Sequence, residues 1–390
     1  MRILHTSDWH LGRTLHGVDL FDHHRAFLDH LVELVREREV DVVVVAGDVY
    51  DRAVPAVPVV SLLSEALGRL SDLATVVVTP GNHDSAVRLG FAAELLRPGL
   101  HILASIDRLA EPVVVDDDAG PVAFYGLPYL DPDTVRARLA PRDELGGEAE
   151  ALARSHEAVM GAALDRVRAD LTSRPGTRSV VVAHAFVQGG AASESERDIR
   201  VGGVDLVPSA VFAGVDYVAL GHLHGAQKVG SGHPTIRYSG SPLAFSFGER
   251  GHVKSSALVD LDASGEVTVE LIPTPVPRRL AEVRGDLAEL LDGRYDEVHD
   301  AWLRVIVTDP VHPEQLFARV VERFPHALAV IHEPTGVVVA HERRAVTPEA
   351  DPIEVAADFV DYATGGAATE AEIAVLRSAY ESARATEASA

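Results

Sequence analysis

Short runs of apolar residues, each closed by a polar side chain, recur along this chain. Residues 41–51 contain four consecutive valines, then Ala46 and Gly47, and then the carboxylate of Asp48. A run that is apolar at every position indicates a strand buried on both faces, as in a sheet covered by helices. A charge at the end of such a strand is costly unless a cation or a donor pairs with it. The pattern therefore predicts a site where this strand ends.

The same arrangement occurs at four further predicted strands, residues 2–7, 75–79, 179–183 and 216–220. In open α/β sheets, ligands bind beyond the carboxyl ends of the strands. If the five strands share one sheet, one rim collects seven donors: Asp8, His10, Asp48, Asn82, His184, His222 and His224.

These donors are oxygens and imidazoles with no thiolate, a set that suits manganese, iron or zinc. Seven donors exceed one tetrahedral zinc site and predict two ions, about 3.5–4 Å apart, bridged by a carboxylate. Asp48 is the expected bridge because its strand is expected to be the most buried.

A histidine follows Asn82 at the third strand end. His83 has an unperturbed pKa suited to protonating a leaving oxygen near neutral pH. We expect Asp51 to orient it by accepting a hydrogen bond from its other ring nitrogen. The alternative is a structural histidine in a turn.

The remaining pattern divides the chain into three parts. Residues 1–273 alternate strands and helices and predict a layered α/β domain. Its first helix is expected to be capped by Asp22, with His23, His24 and His30 on the solvated surface. Three prolines at 273, 275 and 277 mark a boundary.

Residues 278–335 predict a small α+β module, and a linker-like stretch at 341–351 follows. Residues 350–385 predict two helices, the second beginning with a capping box of Thr369 and Glu372. This hairpin is expected to lay an apolar face into a partner's groove. Packing on its own first domain is the alternative.

Composition limits the function. The 390 residues include no cysteine, which excludes disulfides and thiolate sites and favours a cytoplasmic location. We expect no signal peptide and no membrane span. The net charge of −24 opposes nucleic-acid binding unless bound cations or a basic partner subunit offset it. No Gly-Lys-Ser/Thr loop is present, so any ATP is expected to bind another chain.

Together the blocks resemble the signature of the calcineurin-like metallophosphoesterases: Asp8-x-His10, Gly47-Asp48-x-x-Asp51, Gly81-Asn82-His83-Asp84, His184 and Gly221-His222-x-His224. Four longer stretches, HTSDWHLGR, GNHDS, ALGHLH and YSGSPLAFSFGE, are similar to the bacterial SbcD-type exonuclease subunits. The similarity covers residues 1–335 and is loose over the tail.

The resemblance implies a four-layer α/β/β/α nuclease core, a capping domain and a helical segment that binds an SbcC-type coiled-coil ATPase. It also implies manganese-dependent DNA cleavage, as an ATP-assisted exonuclease on duplex ends and an endonuclease on single strands and hairpins. A homodimer within a heterotetramer is implied as well.

By the same resemblance, one manganese is held by Asp8, His10, Asp48 and His224, and the other by Asp48, Asn82, His184 and His222. His83 would protonate the leaving oxygen, with Asp51 orienting it. Two alternatives stay open at this point: a small-molecule phosphodiesterase or phosphatase of the same superfamily, and a non-catalytic scaffold whose metals only hold the fold.

Overall fold

A computed structural model of the chain describes residues 1–141, 150–196, 206–276, 278–335, 351–364 and 366–387. The chain divides into two compact units, Met1–Arg279 and Leu280–Ala390. Of the predicted linker at 341–351, residues 341–350 lie outside the described residues, as do residues 142–149 and 197–205.

The strands of the first unit are β1 (Arg2–Thr6), β2 (Thr14–Leu15), β3 (Val18–Asp19), β4 (Val42–Ala46), β5 (Thr75–Thr79), β6 (Leu100–Ile102), β7 (Val113–Asp117), β8 (Gly120–Leu127), β9 (Arg178–His184), β10 (Tyr217–Gly221), β11 (Gln227–Val229), β12 (Thr235–Tyr238), β13 (Ser255–Leu261) and β14 (Val267–Pro273). Its helices are α1 (Phe21–Glu37), α2 (Val57–Ser71), α3 (Ala86–Leu89), α4 (Pro132–Leu139) and α5 (His156–Thr172).

Two six-stranded sheets form the core of this unit. The first has the order β14-β13-β1-β4-β5-β6, and β1, β4, β5 and β6 are parallel. The second has the order β11-β12-β10-β9-β8-β7, and its four central strands are parallel. The remaining pairs in both sheets are antiparallel.

Alternation along β4 shows how the sheets are stacked. Val42 and Val44 lie in a core with Val180 and Val182 of the second sheet, whereas Val43 and Val45 pack against α1 and α2. Successive strand residues point to opposite faces, so every valine of this run is buried. The outer face of the second sheet packs against α4 and α5. The resulting order of helices, sheet, sheet and helices confirms the predicted four-layer α/β/β/α fold.

Some local predictions are wrong. The five site-bearing strands do not share one sheet: β1, β4 and β5 belong to the first and β9 and β10 to the second. The N-cap of α1 is Leu20, without a side-chain cap, and Asp22 lies inside the first turn. His24 is fully buried, because the α1 face that carries Phe27 and Leu31 packs on the first sheet.

The second unit contains a parallel three-stranded sheet in the order β15 (Leu280–Gly285), β16 (Trp302–Val307) and β17 (Ala327–His332), with α6 (Leu287–Leu291) and α7 (Leu316–Arg323). It ends in α8 (Pro352–Thr364) and α9 (Glu370–Glu387). The predicted capping box is present: Thr369 N donates to Glu372 Oε2 at 2.8 Å, and Glu372 N donates to Thr369 Oγ1 at 3.3 Å. In the described part of the chain, no helix is long and apolar enough to cross a bilayer.

Candidate metal centre

The ends of β1 and β4 are joined to each other by their main chains. Asp8 N donates to the carbonyl of Gly47 at 3.0 Å, and His10 N donates to that of Asp48 at 2.9 Å. The end of β10 joins them from the opposite sheet, because His222 N donates to both carboxylate oxygens of Asp8 at 3.0 and 3.2 Å. Strand ends from two facing sheets therefore meet at one place.

The backbone is strained at this meeting point. Asp8, His10, Asp48 and His222 have φ values of 54°, 44°, 48° and 107°. Residues other than glycine rarely adopt positive φ, and such conformations persist where surrounding structure enforces them, commonly at functional sites. Four of the seven predicted donors are thus held by an unusual backbone.

Two glycines make the close approach possible. A Cβ at Gly81 would lie 2.2 Å from Asp48 Oδ1, and a Cβ at Gly47 would lie 2.3 Å from His184 Nδ1. Neither position accommodates a side chain while the carboxylate and imidazole keep their places.

The Asp48 carboxylate lies among three imidazoles. Its Oδ2 atom is 3.5 Å from His184 Nε2, 3.6 Å from His10 Nε2 and 3.9 Å from His83 Nε2. Among the described residues, three groups of side chains have donor atoms close enough to share an ion: Asp8, His10 and His224; His10, Asp48 and His83; and Asp8, Asp48 and His184. Asp8, His10 and Asp48 belong to two groups each, so neighbouring groups share donors, as they do in a two-ion centre.

The hydrogen bonds of His184 test whether a cation fits. Its Nδ1 lies 3.1 Å from the carbonyl oxygen of Ala46, which can only accept, so Nδ1 carries the proton. Burial lowers the pKa of His184 to about 4, so the ring is neutral at pH 7 and Nε2 presents a lone pair. That lone pair faces Asn82 Oδ1 at 2.9 Å and Asp48 Oδ2 at 3.5 Å. Three electron-pair donors converge without a proton between them, which a metal ion would satisfy.

A second close approach of imidazole nitrogens involves the other sheet. His10 Nε2 and His224 Nε2 lie 3.1 Å apart. Burial, followed by the charge of neighbouring His224, lowers the pKa of His10 well below its usual range, so its ring is neutral. Among the described residues, His10 Nδ1 and Asn82 Nδ2 are buried without a hydrogen-bond partner.

The two buried carboxylates repel each other. Burial, and then the charge of Asp48, raises the pKa of Asp8 well above its usual range. Burial also lowers the pKa of His222 well below its usual range, with neighbouring histidines adding to the effect. A site that disfavours both carboxylate charge and imidazolium charge is completed by divalent cations, which stabilise the carboxylates and coordinate neutral imidazoles.

The structure brings His83 to the edge of this cluster. Its ring centroid is 4.7 Å from that of His10, and its main-chain N–H donates to Asp48 Oδ1 at 2.8 Å. His83 Nδ1 lies 2.8 Å from the main-chain carbonyl of Asp51. The Asp51 carboxylate is 3.7 Å from both His10 Nδ1 and the Arg13 guanidinium. All nine predicted site residues therefore lie together, and the contact from His83 to Asp51 uses the main chain.

Sequence reasoning missed several supporting residues. The Asp84 carboxylate accepts hydrogen bonds from Val49 N, Tyr50 N and Gly81 N at 2.9–3.0 Å, which joins the loops after β4 and β5. Asp84 belongs to the Gly81-Asn82-His83-Asp84 block, which was the signal for it, but no role was predicted for its carboxylate. Glu249 and Lys254 form a buried ion pair beside His224. Burial would raise the pKa of Glu249, but the hydrogen bond with His224 and the charge of Lys254 lower it below its usual range.

Two family models and a curated relative match most of this chain. A model of the calcineurin-like phosphoesterase family matches residues 1–226, and a model described as the type 5 capsule protein repressor C-terminal domain, SbcD_C, matches residues 276–364. The SbcD component of the Bacillus subtilis nuclease SbcCD is 35% identical over 331 residues, covering 81% of this chain and 82% of the relative.

Two solved structures are also similar. TT1561 of Thermus thermophilus has a TM-score of 0.40 and 16% identity over 69% of this chain and 98% of that chain. GAP50, the anchor in the inner membrane complex of Plasmodium, has a TM-score of 0.39 and 10% identity over 70% of this chain and 84% of that chain.

Proposed function

Because this chain belongs to the calcineurin-like phosphoesterases and, within them, to the SbcD nuclease subunits, we propose that it hydrolyses DNA phosphodiester bonds at the centre described above. It does so as the nuclease subunit of an SbcCD-type complex acting in DNA repair, replication and recombination. The observation that carries the proposal is the convergence of neutral imidazole lone pairs and carboxylate oxygens around Asp48.

This convergence would hold two divalent ions, manganese in our proposal. Asp8, His10, Asp48 and His224 would hold one ion, and Asp48, Asn82, His184 and His222 would hold the other. The donor set of oxygens and imidazoles without thiolate supports manganese. When bound, such a pair supplies Lewis-acid activation of the phosphodiester and of the attacking water.

His83 acts on the leaving oxygen. Because the Asp51 carbonyl accepts a hydrogen bond from Nδ1, Nε2 faces the centre, 3.9 Å from Asp48 Oδ2. In the imidazolium form both ring nitrogens carry a proton, and the one on Nε2 passes to the leaving oxygen while Nδ1 stays bonded to the Asp51 carbonyl.

The rest of the chain serves assembly and substrate access. We propose that residues 1–273 are the nuclease domain, 278–335 a capping domain, and 350–385 the helical segment that binds an SbcC-type coiled-coil ATPase. The absence of a Gly-Lys-Ser/Thr sequence supports a nucleotide site on that partner. In this proposal the complex contains two copies of each subunit. It degrades duplex ends in the 3′–5′ direction with ATP and cuts single strands and hairpins.

End-labelled DNA tests the proposal directly. Purified chain is incubated with duplex, hairpin and single-stranded DNA in Mn²⁺ or Mg²⁺, each with and without an SbcC-type partner and ATP. We expect Mn²⁺-dependent shortening of the duplex that increases with partner and ATP. Asp48→Asn should abolish it, because this carboxylate serves both ions.

Asp118→Asn is the matched control, since Asp118 is exposed in the turn between β7 and β8. It should cleave at the wild-type rate. Absence of DNA cleavage under every condition, together with rapid hydrolysis of an aryl phosphodiester, would assign the centre to small substrates instead. Equal cleavage by Asp48→Asn and wild type would refute the centre.

A further inference from the structure

The Nδ1 atom of His224 is linked through the Ser195 hydroxyl to the Glu249 carboxylate, a chain of hydrogen bonds that we call the relay. Neither Ser195 nor Glu249 belongs to a metal-ligand motif. Ser195 Oγ lies 2.6 Å from His224 Nδ1 and donates its own proton to Glu249 Oε1. A hydroxyl that donates to a carboxylate accepts from the imidazole, so His224 Nδ1 carries a proton. The relay therefore fixes the tautomer that presents the Nε2 lone pair of His224 toward His10, 3.1 Å away.

Glu249 is built into this position. It is 1% exposed, and its carboxylate also accepts from Phe245 N at 3.1 Å and from Lys254 Nζ. Lys254, itself buried, donates to the main-chain carbonyl of His224 at 3.0 Å and to Ser241 Oγ at 2.9 Å. The ion pair therefore reaches the main-chain carbonyl of His224 through Lys254 and its ring through Glu249 and Ser195. Buried, hydrogen-bonded partners on both sides hold the histidine in one orientation.

The segment that carries Ser195 is attached to His224 at a second point. Glu196 Oε1 accepts from His224 N at 2.8 Å, and Glu196 Oε2 accepts from Ser193 N at 2.8 Å. Arg13, which stacks over the Phe245 ring at 4.8 Å, donates to the carbonyl of Ser195 at 3.1 Å. These contacts hold the main chain around Ser195 in place without using its hydroxyl group.

We propose that Ser195 and Glu249 are positioning residues that set the affinity of one of the two metal ions through His224. This inference rests on the proposed function, because it assumes that His224 ligates a metal. Outer partners of metal-bound histidines fix ring orientation and raise ligand basicity, and their loss typically weakens metal binding about 10–100-fold. The effect should fall on the ion held by His224, because that histidine is the predicted ligand to which the relay is hydrogen-bonded.

Ser195→Ala tests this with little change in volume and leaves the Glu249–Lys254 pair intact. Mn²⁺ is titrated into metal-free full-length protein by calorimetry. We expect two binding steps in wild type, and in Ser195→Ala a step weakened by at least about tenfold beside one that is unchanged. Ser195→Thr, which keeps the hydroxyl, should restore the weakened step. Ser61→Ala, which removes an exposed hydroxyl bonded to its own helix, is the matched control.

Nitrogen NMR of ¹⁵N-histidine in the metal-free protein reports the tautomer without any turnover. We expect His224 to be protonated at Nδ1 in wild type and to show a mixture of tautomers in Ser195→Ala. Glu249→Gln should have the same effect if it remains folded.

The outcomes separate the two proposals. If wild type binds no pair of Mn²⁺ ions, the proposed function fails. If wild type binds two ions and folded Ser195→Ala binds them with unchanged affinity, or loses both equally, the positioning role is wrong while the metal centre stands.

Discussion

His83 Nδ1 contacts the main-chain carbonyl of Asp51 at 2.8 Å, so the group that orients this histidine is independent of the Asp51 side chain. The carbonyl is present whatever side chain stands at position 51, provided that the loop keeps its conformation. Because a carbonyl oxygen only accepts hydrogen bonds, this contact requires a proton on His83 Nδ1 and leaves Nε2 facing the centre.

Asp51→Ala should therefore impair DNA cleavage much less than His83→Ala. We expect His83→Ala to lose a factor of about 10²–10⁴ in kcat, the usual contribution of a general acid, with Mn²⁺ affinity retained. Asp51→Ala should lose less than about tenfold. Single-turnover cleavage of labelled duplex DNA measures both rates. Losses of equal size would show that the Asp51 carboxylate carries the orienting role.

Gly81→Ala should weaken both metal ions together. The added Cβ would lie 2.2 Å from Asp48 Oδ1 and 2.3 Å from Asp48 N, so the proposed bridging carboxylate must move. We expect calorimetry to show at least a tenfold loss of Mn²⁺ affinity at both sites. Gly161→Ala in α5 is the control, because its Cβ meets nothing within 4 Å and alanine favours a helix by about 1 kcal/mol. Unchanged Mn²⁺ binding by Gly81→Ala would contradict the bridging position of Asp48.

The strand ends and their donors could be predicted because both are local in sequence. An apolar run closed by Asp48, or by His184, marks a buried strand and a polar terminus without any knowledge of its neighbours. How strands pair is not local. The assumption of one shared sheet failed because β9 and β10 have the same apolar pattern as β1, β4 and β5, and nothing in that pattern assigns a strand to a sheet.

The positions of residues that act through tertiary contacts could not be predicted from the sequence either. His24 has the polar neighbours of a surface histidine, yet α1 turns it toward the first sheet. Glu249 and Lys254 look like ordinary charges until the folded chain places both beside His224. Asp22 resembles a helix cap, but α1 begins one residue earlier, where Phe21 N already bonds Asp19 Oδ1.

His5 should make the stability of the fold dependent on pH. It is fully buried on β1, with Nδ1 2.9 Å from the Tyr217 hydroxyl and Nε2 3.1 Å from the Leu220 carbonyl of the facing sheet. Burial lowers its pKa from 6.5 to about 3. Because the folded pKa is the lower one, the unfolded state binds more protons between these values, and stability falls as pH decreases from about 6.5 toward 3.

One proton corresponds to a slope of about 1.4 kcal/mol per pH unit in the free energy of unfolding. Urea unfolding of metal-free protein at several pH values between 5 and 6.5 measures this slope. His5→Gln keeps hydrogen-bonding capacity but does not titrate there, so its slope should be smaller by up to that amount. Every other histidine is common to both proteins, so identical slopes would mean that His5 is protonated equally in the folded and unfolded states.

Asp84 should be needed for folding stability more than for chemistry. Its carboxylate accepts hydrogen bonds from three main-chain N–H groups: those of Val49 and Tyr50 in the loop after β4, and that of Gly81. Asp84→Ala leaves those donors without an acceptor, and each unsatisfied buried donor costs about 1–3 kcal/mol. We expect a loss on the order of 3 kcal/mol in the free energy of unfolding. Asp84→Asn should lose less, because its one carbonyl oxygen can replace the Oδ2 that accepts from both Val49 and Gly81. Urea unfolding ranks the two variants against Asp118→Asn, and equal stability of all three would show that the loops hold their places without this carboxylate.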